Sequence, residues 1–131
     1  MPTEETSKLY TILQNGKPRE QWQAAKQLKE LNNADDLEFA FELLNNCQNE
    51  DIILKVLSIL ENRRIKEIKK IDLILSKLRS GNRQLRMAAA NTILQSSPKI
   101  KSRLKAIESL YDQEKDASVK SILSKIILRY K

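Results

Sequence analysis

Shifted by 65 residues, the chain falls back on itself. Leu9 then lies on Ile74, Leu13 on Leu78, Gly16 on Gly81, Ala24 and Ala25 on Ala89 and Ala90, and Leu28 on Ile93. Half that shift brings Ala24 and Ala25 onto Val56 and Leu57, and Leu28 onto Leu60. A step of 34 takes Leu85 to Val119, Arg86 to Lys120 and Ala89 to Leu123. The period is about 33 residues, four times over. A repeat of that length is one supersecondary unit, and it buries its apolar face only by stacking on its neighbours. Any evenly built helical bundle gives loose echoes of this kind. A turn glycine and an alanine pair that match in one register favour true repetition.

Each unit reads as two antiparallel helices. The chain has only two Gly and three Pro, which leaves little room for long loops. The predicted helices are about 4–14, 18–31, 34–45, 50–62, 65–79, 83–96, 98–111 and 117–130. Gly16 ends the first, and Pro18 starts the second where its missing N–H does no harm. Asn33, Asn49, Asn82, Ser97 and Asp116 precede apolar-periodic runs, as N-caps do. In the last helix Val119, Ile122, Leu123, Ile126, Ile127 and Tyr130 form one wide stripe. Ile100, Leu104, Ile107 and Leu110 line the seventh, and Ile68, Ile71, Ile74, Leu75 and Leu78 point inward on the fifth. The sixth is apolar on two sides. Leu85, Ala88, Ala89, Thr92, Ile93 and Ser96 make one face, and Met87, Ala90 and Leu94 make the other. Such a helix is sandwiched, and its alanines let a neighbouring backbone come close.

The stretches "NGKPREQWQAAKQLKEL" and "SGNRQLRMAAANTILQ" resemble the second helix of HEAT repeats, above all the short HEAT-like repeats of phycobilisome lyases. In that pattern a turn with Pro or Asp leads into Val-Arg, small residues and then Leu. Leu85-Arg86 with Ala88–Ala90, and Val119-Lys120 after Asp116, match it best. Gln21 and Ile53 stand where the third unit has Arg86, so a regular internal ladder of Arg and Asp is not implied. The expected fold is an all-α, right-handed α-solenoid of four helix pairs, eight helices in one domain. Its units are about 4–32, 33–63, 64–97 and 98–131. The alternative is that the same helices close into a globular bundle. Some phycobilisome lyases attach or isomerise bilins; no residue here supports that activity, and no cofactor is expected.

The chain has no His, which removes His-based acid–base, nucleophile-activating and zinc chemistry. Cys47, the single cysteine, lies near a helix end among acids, where a thiolate is disfavoured, and reads as structural. Asp35-Asp36 fit a helix's first turn, where acids complement the dipole. Gly16 and Gly81 are isolated and form no phosphate loop. We therefore expect no enzyme. "MPTEETSK" has neither the basic nor the apolar region of a secretory signal, no apolar run would span a membrane, and one cysteine suits a reducing compartment. A cytoplasmic protein is expected.

Charge is the main functional clue. The formal net charge is +7 and is unevenly spread. Residues 1–60 hold 6 basic and 10 acidic residues, and residues 61–105 hold 13 basic and 3 acidic. The basic block is Arg63, Arg64, Lys66, Lys69, Lys70, Lys77, Arg79, Arg83, Arg86, Lys99, Lys101, Arg103 and Lys105. Charge runs of this kind are usually solvated helix faces. Here only Glu67 and Asp72 are at hand for pairing one turn away, so poor self-neutralisation is expected. Residues 42–110 contain no Phe, Tyr or Trp, so any nucleic-acid contact there would be with phosphates. Arg86 reads first as structural, bonding turn carbonyls or an acid of the next unit. Trp22 caps the open end of the stack or anchors a partner. Asp35, Asp36, Glu38 and Glu42 make the third helix acidic opposite Leu37, Phe41 and Leu44, which makes head-to-tail self-association conceivable. The leading expectation is a non-enzymatic adaptor that binds a protein with an acidic surface. The alternative is binding to nucleic-acid backbones through residues 63–105.

Overall fold

A computed structural model describes residues 4–31, 37–61, 63, 65–95 and 98–131, apart from the side chains of Leu31, Leu37, Pro98 and Lys99. Among the described residues the protein is all-helical, with eight α-helices and no strand. They are α1 (Glu4–Asn15), α2 (Pro18–Leu31), α3 (Leu37–Asn46), α4 (Glu50–Leu60), α5 (Ile68–Ser76), α6 (Arg83–Leu94), α7 (Leu104–Gln113) and α8 (Ala117–Tyr130). A 3-10 turn at Lys77–Arg79 extends α5, and another at Pro98–Arg103 leads into α7. No helix among the described residues is long and apolar enough to cross a membrane.

Side-chain oxygens at the helix starts take up amides that the helix itself leaves unpaired. Asn49 Oδ1 accepts from the Asp51 and Ile52 amides at 3.0 and 3.3 Å. Asn82 Oδ1 accepts from Gln84 and Leu85 at 2.9 and 3.4 Å, and Asp116 Oδ1 from Ser118 and Val119 at 2.9 and 3.1 Å. Pro18 opens α2, and Glu20 reaches back to accept from the Lys17 amide at 3.0 Å. Asn33 and Ser97 lie outside the described residues. Gly16 donates its amide to the Ile12 carbonyl at 2.7 Å, and a Cβ built on Gly16 would meet that same oxygen at 2.7 Å. The close approach that ends α1 thus depends on the missing side chain.

Two helix starts differ from expectation. α5 begins at Ile68 rather than 65, because residues 65–67 run without helical structure while Ile65 drops into the core at 2% exposure. The seventh helical stretch opens as a 3-10 turn and becomes α-helical only at Leu104. Such tight turns are common where a helix begins.

Contacts divide the chain into two compact units, Met1–Leu60 and Glu61–Lys131. In the first, α2 packs on α1 and α4, and α3 packs on α4. Leu13, Leu28, Leu44, Val56, Leu57 and Leu60 are almost wholly buried there, and Tyr10 stacks on Phe39 with ring centroids 5.1 Å apart. In the second, α6 packs on α5 and on α8, and α7 packs on α8. Ile71, Ile74, Ile93, Ile100, Ile107, Val119, Leu123 and Ile126 are fully buried. Each such aliphatic side chain contributes roughly 1.5–3 kcal/mol through burial. Ala89 and Ala90 have no exposed surface, while Met87, Ala88 and Leu94 are half-buried. Alanines of α6 thus lie within the packed layers, where a larger side chain would have no space.

Candidate binding surface

The basic block lies on the second unit, and its arginines behave differently from its lysines. Arg86, on α6, donates from Nε to both carboxylate oxygens of Glu114 at 3.0 and 3.2 Å, and from Nη1 to the Ser80 carbonyl at 3.0 Å. Glu114 closes the C-terminus of α7 with a side chain only 4% exposed, and it also accepts from the Asp116 amide at 3.0 Å. One carboxylate therefore joins α6 to the turn between α7 and α8. Arg83 pairs with Asp116, the cap of α8. Arg103 grips Asp72 of α5 in a fork, Nε to Oδ1 at 2.6 Å and Nη2 to Oδ2 at 3.0 Å. Arg129 donates to the Leu94 carbonyl at 2.8 Å. The Arg103–Asp72 hydrogen bonds hold the Asp72 carboxyl below the usual carboxylate range and raise the Arg103 guanidinium. The Asp116 carboxyl is lowered by Arg83 first and by the Val119 amide second.

The block is therefore better neutralised than one-turn spacing implies. Its carboxylates come from 28 to 33 residues away in sequence, on other helices or turns of the same unit. Lys70 also pairs with Glu67 at 3.3 Å, and its side chain is only 17% exposed. Arg63 is buried. Arg64 and the side chain of Lys99 lie outside the described set. Lys77 is half-buried, whereas Lys66, Lys69, Arg79, Lys101 and Lys105 are exposed and form no ion pair with a described carboxylate.

One cleft, of about 370 Å³, opens where the α5–α6 and α7–α8 turns meet. Leu78 and Leu110 form its apolar lining, Ser80 and Gln113 add hydrogen-bonding groups, and Arg79 and Lys115 bring exposed cations. Arg86 and Glu114 make its rigid wall. An apolar floor beside unpaired cations suits a carboxylate carried on an apolar stem. Arg79 and Arg86 belong to the basic block. Ser80, Gln113, Glu114 and Lys115 were not singled out in the sequence, although Glu114 and Asp116 do stand about one period after Arg86 and Arg83.

In the first unit Trp22 is 48% exposed on α2, and the Lys55 ammonium of α4 lies 5.0 Å from the centre of its ring. The same contact recurs in the second unit, with Lys120 4.6 Å from the Tyr111 ring. Glu38 and Glu42 are exposed on α3 opposite the buried Phe41 and Leu44, while Asp35 and Asp36 lie outside the described residues. Cys47 is half-buried, with its Sγ 3.9 Å from the Asn49 carbonyl. Among the described residues no three Cys, Asp or Glu side chains are grouped to hold a metal ion. No family model matches the chain, and no curated protein and no solved structure is significantly similar to it.

Proposed function

We propose that the protein is a non-enzymatic binding module, a small HEAT-like right-handed α-solenoid that works as an adaptor for a protein with an acidic surface. Within each unit the second helices of consecutive pairs pack together, α2 on α4 and α6 on α8, which supports stacked hairpins. The cleft carries the functional reading. Arg79 and Lys115 stand beside Leu78 and Leu110, and the neighbouring Arg86–Glu114 pair fixes the wall without using up the exposed cations. Acidic side chains of a partner would meet the cations, and their apolar neighbours would meet the leucines. A cytoplasmic location suits such an adaptor.

A second reading, binding along nucleic-acid backbones, is favoured by the exposed Lys66, Lys69, Lys101 and Lys105. Affinity capture from cell extract, with and without nuclease, separates the two. The adaptor retains a defined partner after nuclease treatment and loses it when Arg79 and Lys115 are both changed to Glu. The reading fails if capture depends on nucleic acid, or if arbitrary duplexes are retained at low salt and released steeply as salt rises.

A further inference from the structure

The first unit is net acidic, yet one face of α2 is not. Arg19, Trp22, Lys26 and Lys29 follow a spacing of i, i+3, i+7 and i+10, which lines them up along one side of the helix. Arg19, Trp22 and Lys26 are exposed and Lys29 is half-exposed. Glu20 lies on the opposite side, held by the Lys17 amide. Glu30, one turn after Lys26, shares this side and is exposed, so the strip carries three cations and one carboxylate. Beneath Trp22 lies Lys55, which is only 5% exposed and forms no ion pair with a described carboxylate, although Asp51 stands one turn before it. A buried ammonium ordinarily has a carboxylate beside it. This one has an aromatic ring, and that ring's residue is itself 48% exposed.

A cation held against one face of an indole draws its π-electrons inward. The other face then attracts a second cation less and tolerates anionic or apolar neighbours better. With Arg19, Lys26 and Lys29 around it, the exposed part of Trp22 selects against basic segments and for acidic ones. We infer that this strip of α2 is a docking site for an acidic peptide segment of a protein partner, with an apolar side chain laid on Trp22 and carboxylates on Arg19, Lys26 and Lys29. The inference rests on the adaptor reading but places a contact on different residues, in the first unit. A single-stranded nucleic acid fits less well. Such ligands need successive aromatic platforms, and this strip has one, on a unit whose net charge repels phosphates.

Trp22 is the only tryptophan in the chain, so its fluorescence reports on this strip alone. The probe is a short fluorescein-labelled peptide of glutamates flanking a leucine pair; the control has lysines in place of the glutamates. The acidic peptide should bind by anisotropy and saturably shift Trp22 emission in an unlabelled copy, while the lysine peptide should do neither. The double variant Lys26→Glu/Lys29→Glu should weaken binding by roughly tenfold or more while keeping its helical circular dichroism. Without peptide, iodide should quench Trp22 better than caesium, and Lys55→Met should narrow that difference. Binding by anisotropy with Trp22 emission unmoved, and with the double variant unaffected, overturns the inference and leaves the adaptor reading standing. No binding of the acidic peptide, with an oligothymidine shifting Trp22 instead, overturns both.

Discussion

Replacing Arg86 with Met tests whether the α6 arginine is a structural tie. Methionine keeps most of the apolar stem, so little cavity forms, but the guanidinium goes. The Glu114 carboxylate, 4% exposed, would keep the Asp116 amide as a donor, and the Ser80 carbonyl would lose the Arg86 hydrogen bond. Removing one member of a buried ion pair costs about 3–5 kcal/mol. Arg86 is itself 19% exposed, so water can reach part of the vacated site. We therefore expect a loss of about 2–4 kcal/mol, a large share of a typical domain's stability. Glu114→Gln removes the charge but keeps an acceptor, and should cost about 1–2 kcal/mol. Made together, the two changes remove the unpaired charge, so the double variant should lose clearly less than the sum. Arg103→Met breaks a pair that is 35% and 46% exposed and should cost about 1 kcal/mol or less. Urea unfolding followed by far-ultraviolet circular dichroism measures all four variants; Trp22 fluorescence reports the other unit. A loss below about 1 kcal/mol for Arg86→Met, or strict additivity of the pair, would refute the reasoning.

The two glycines that coincide in the repeat register should answer differently to alanine. Gly16→Ala drives a Cβ into the Ile12 carbonyl and should cost about 1–3 kcal/mol, whereas Gly81→Ala meets nothing within 4 Å and should be neutral or stabilise by about 0.4–1 kcal/mol; thermal melts of both variants check this. Asp72 and Asp116 titrate lower in the folded protein than the value near 3.9 of the unfolded chain. Their contribution is present above that value and disappears as pH falls through the folded pKa, so Asp72→Asn and Asp116→Asn should each flatten the acid limb of a stability–pH curve.

The helices were legible because their signals are local. Asn49, Asn82 and Asp116 each cap a helix as their position before an apolar run predicted. The alanine pair of α6 marked a crowded position, and Ala89 and Ala90 are indeed without exposed surface. The start of α5 was not legible, because Ile65 continues the apolar pattern without continuing the helix. Arg86 bonds a turn carbonyl and a distant acid, as its reading as a structural residue anticipated, but the ionic partners of Arg83 and Arg103 were missed for a related reason. A one-turn rule searches the same helix, whereas Asp116, Glu114 and Asp72 lie outside the helix or turn that carries their arginine. These carboxylates stand 28 to 33 residues from their arginines in sequence, beyond the reach of a one-turn rule. Lys55 beneath Trp22 escapes that rule too. Its sequence neighbours, Ile53, Leu54, Val56 and Leu57, disguised it as a stray charge in an apolar helix.

The arginine ties also bear on how the second unit assembles. Each closes a segment of 28 to 35 residues. Closure entropy rises only with the logarithm of loop length, and short-range topologies fold quickly. The second unit can therefore fasten α5 and α6 to the segment of α7 and α8 without waiting for distant ends of the chain to meet. Loss of one arginine tie would loosen first the helices that it joins.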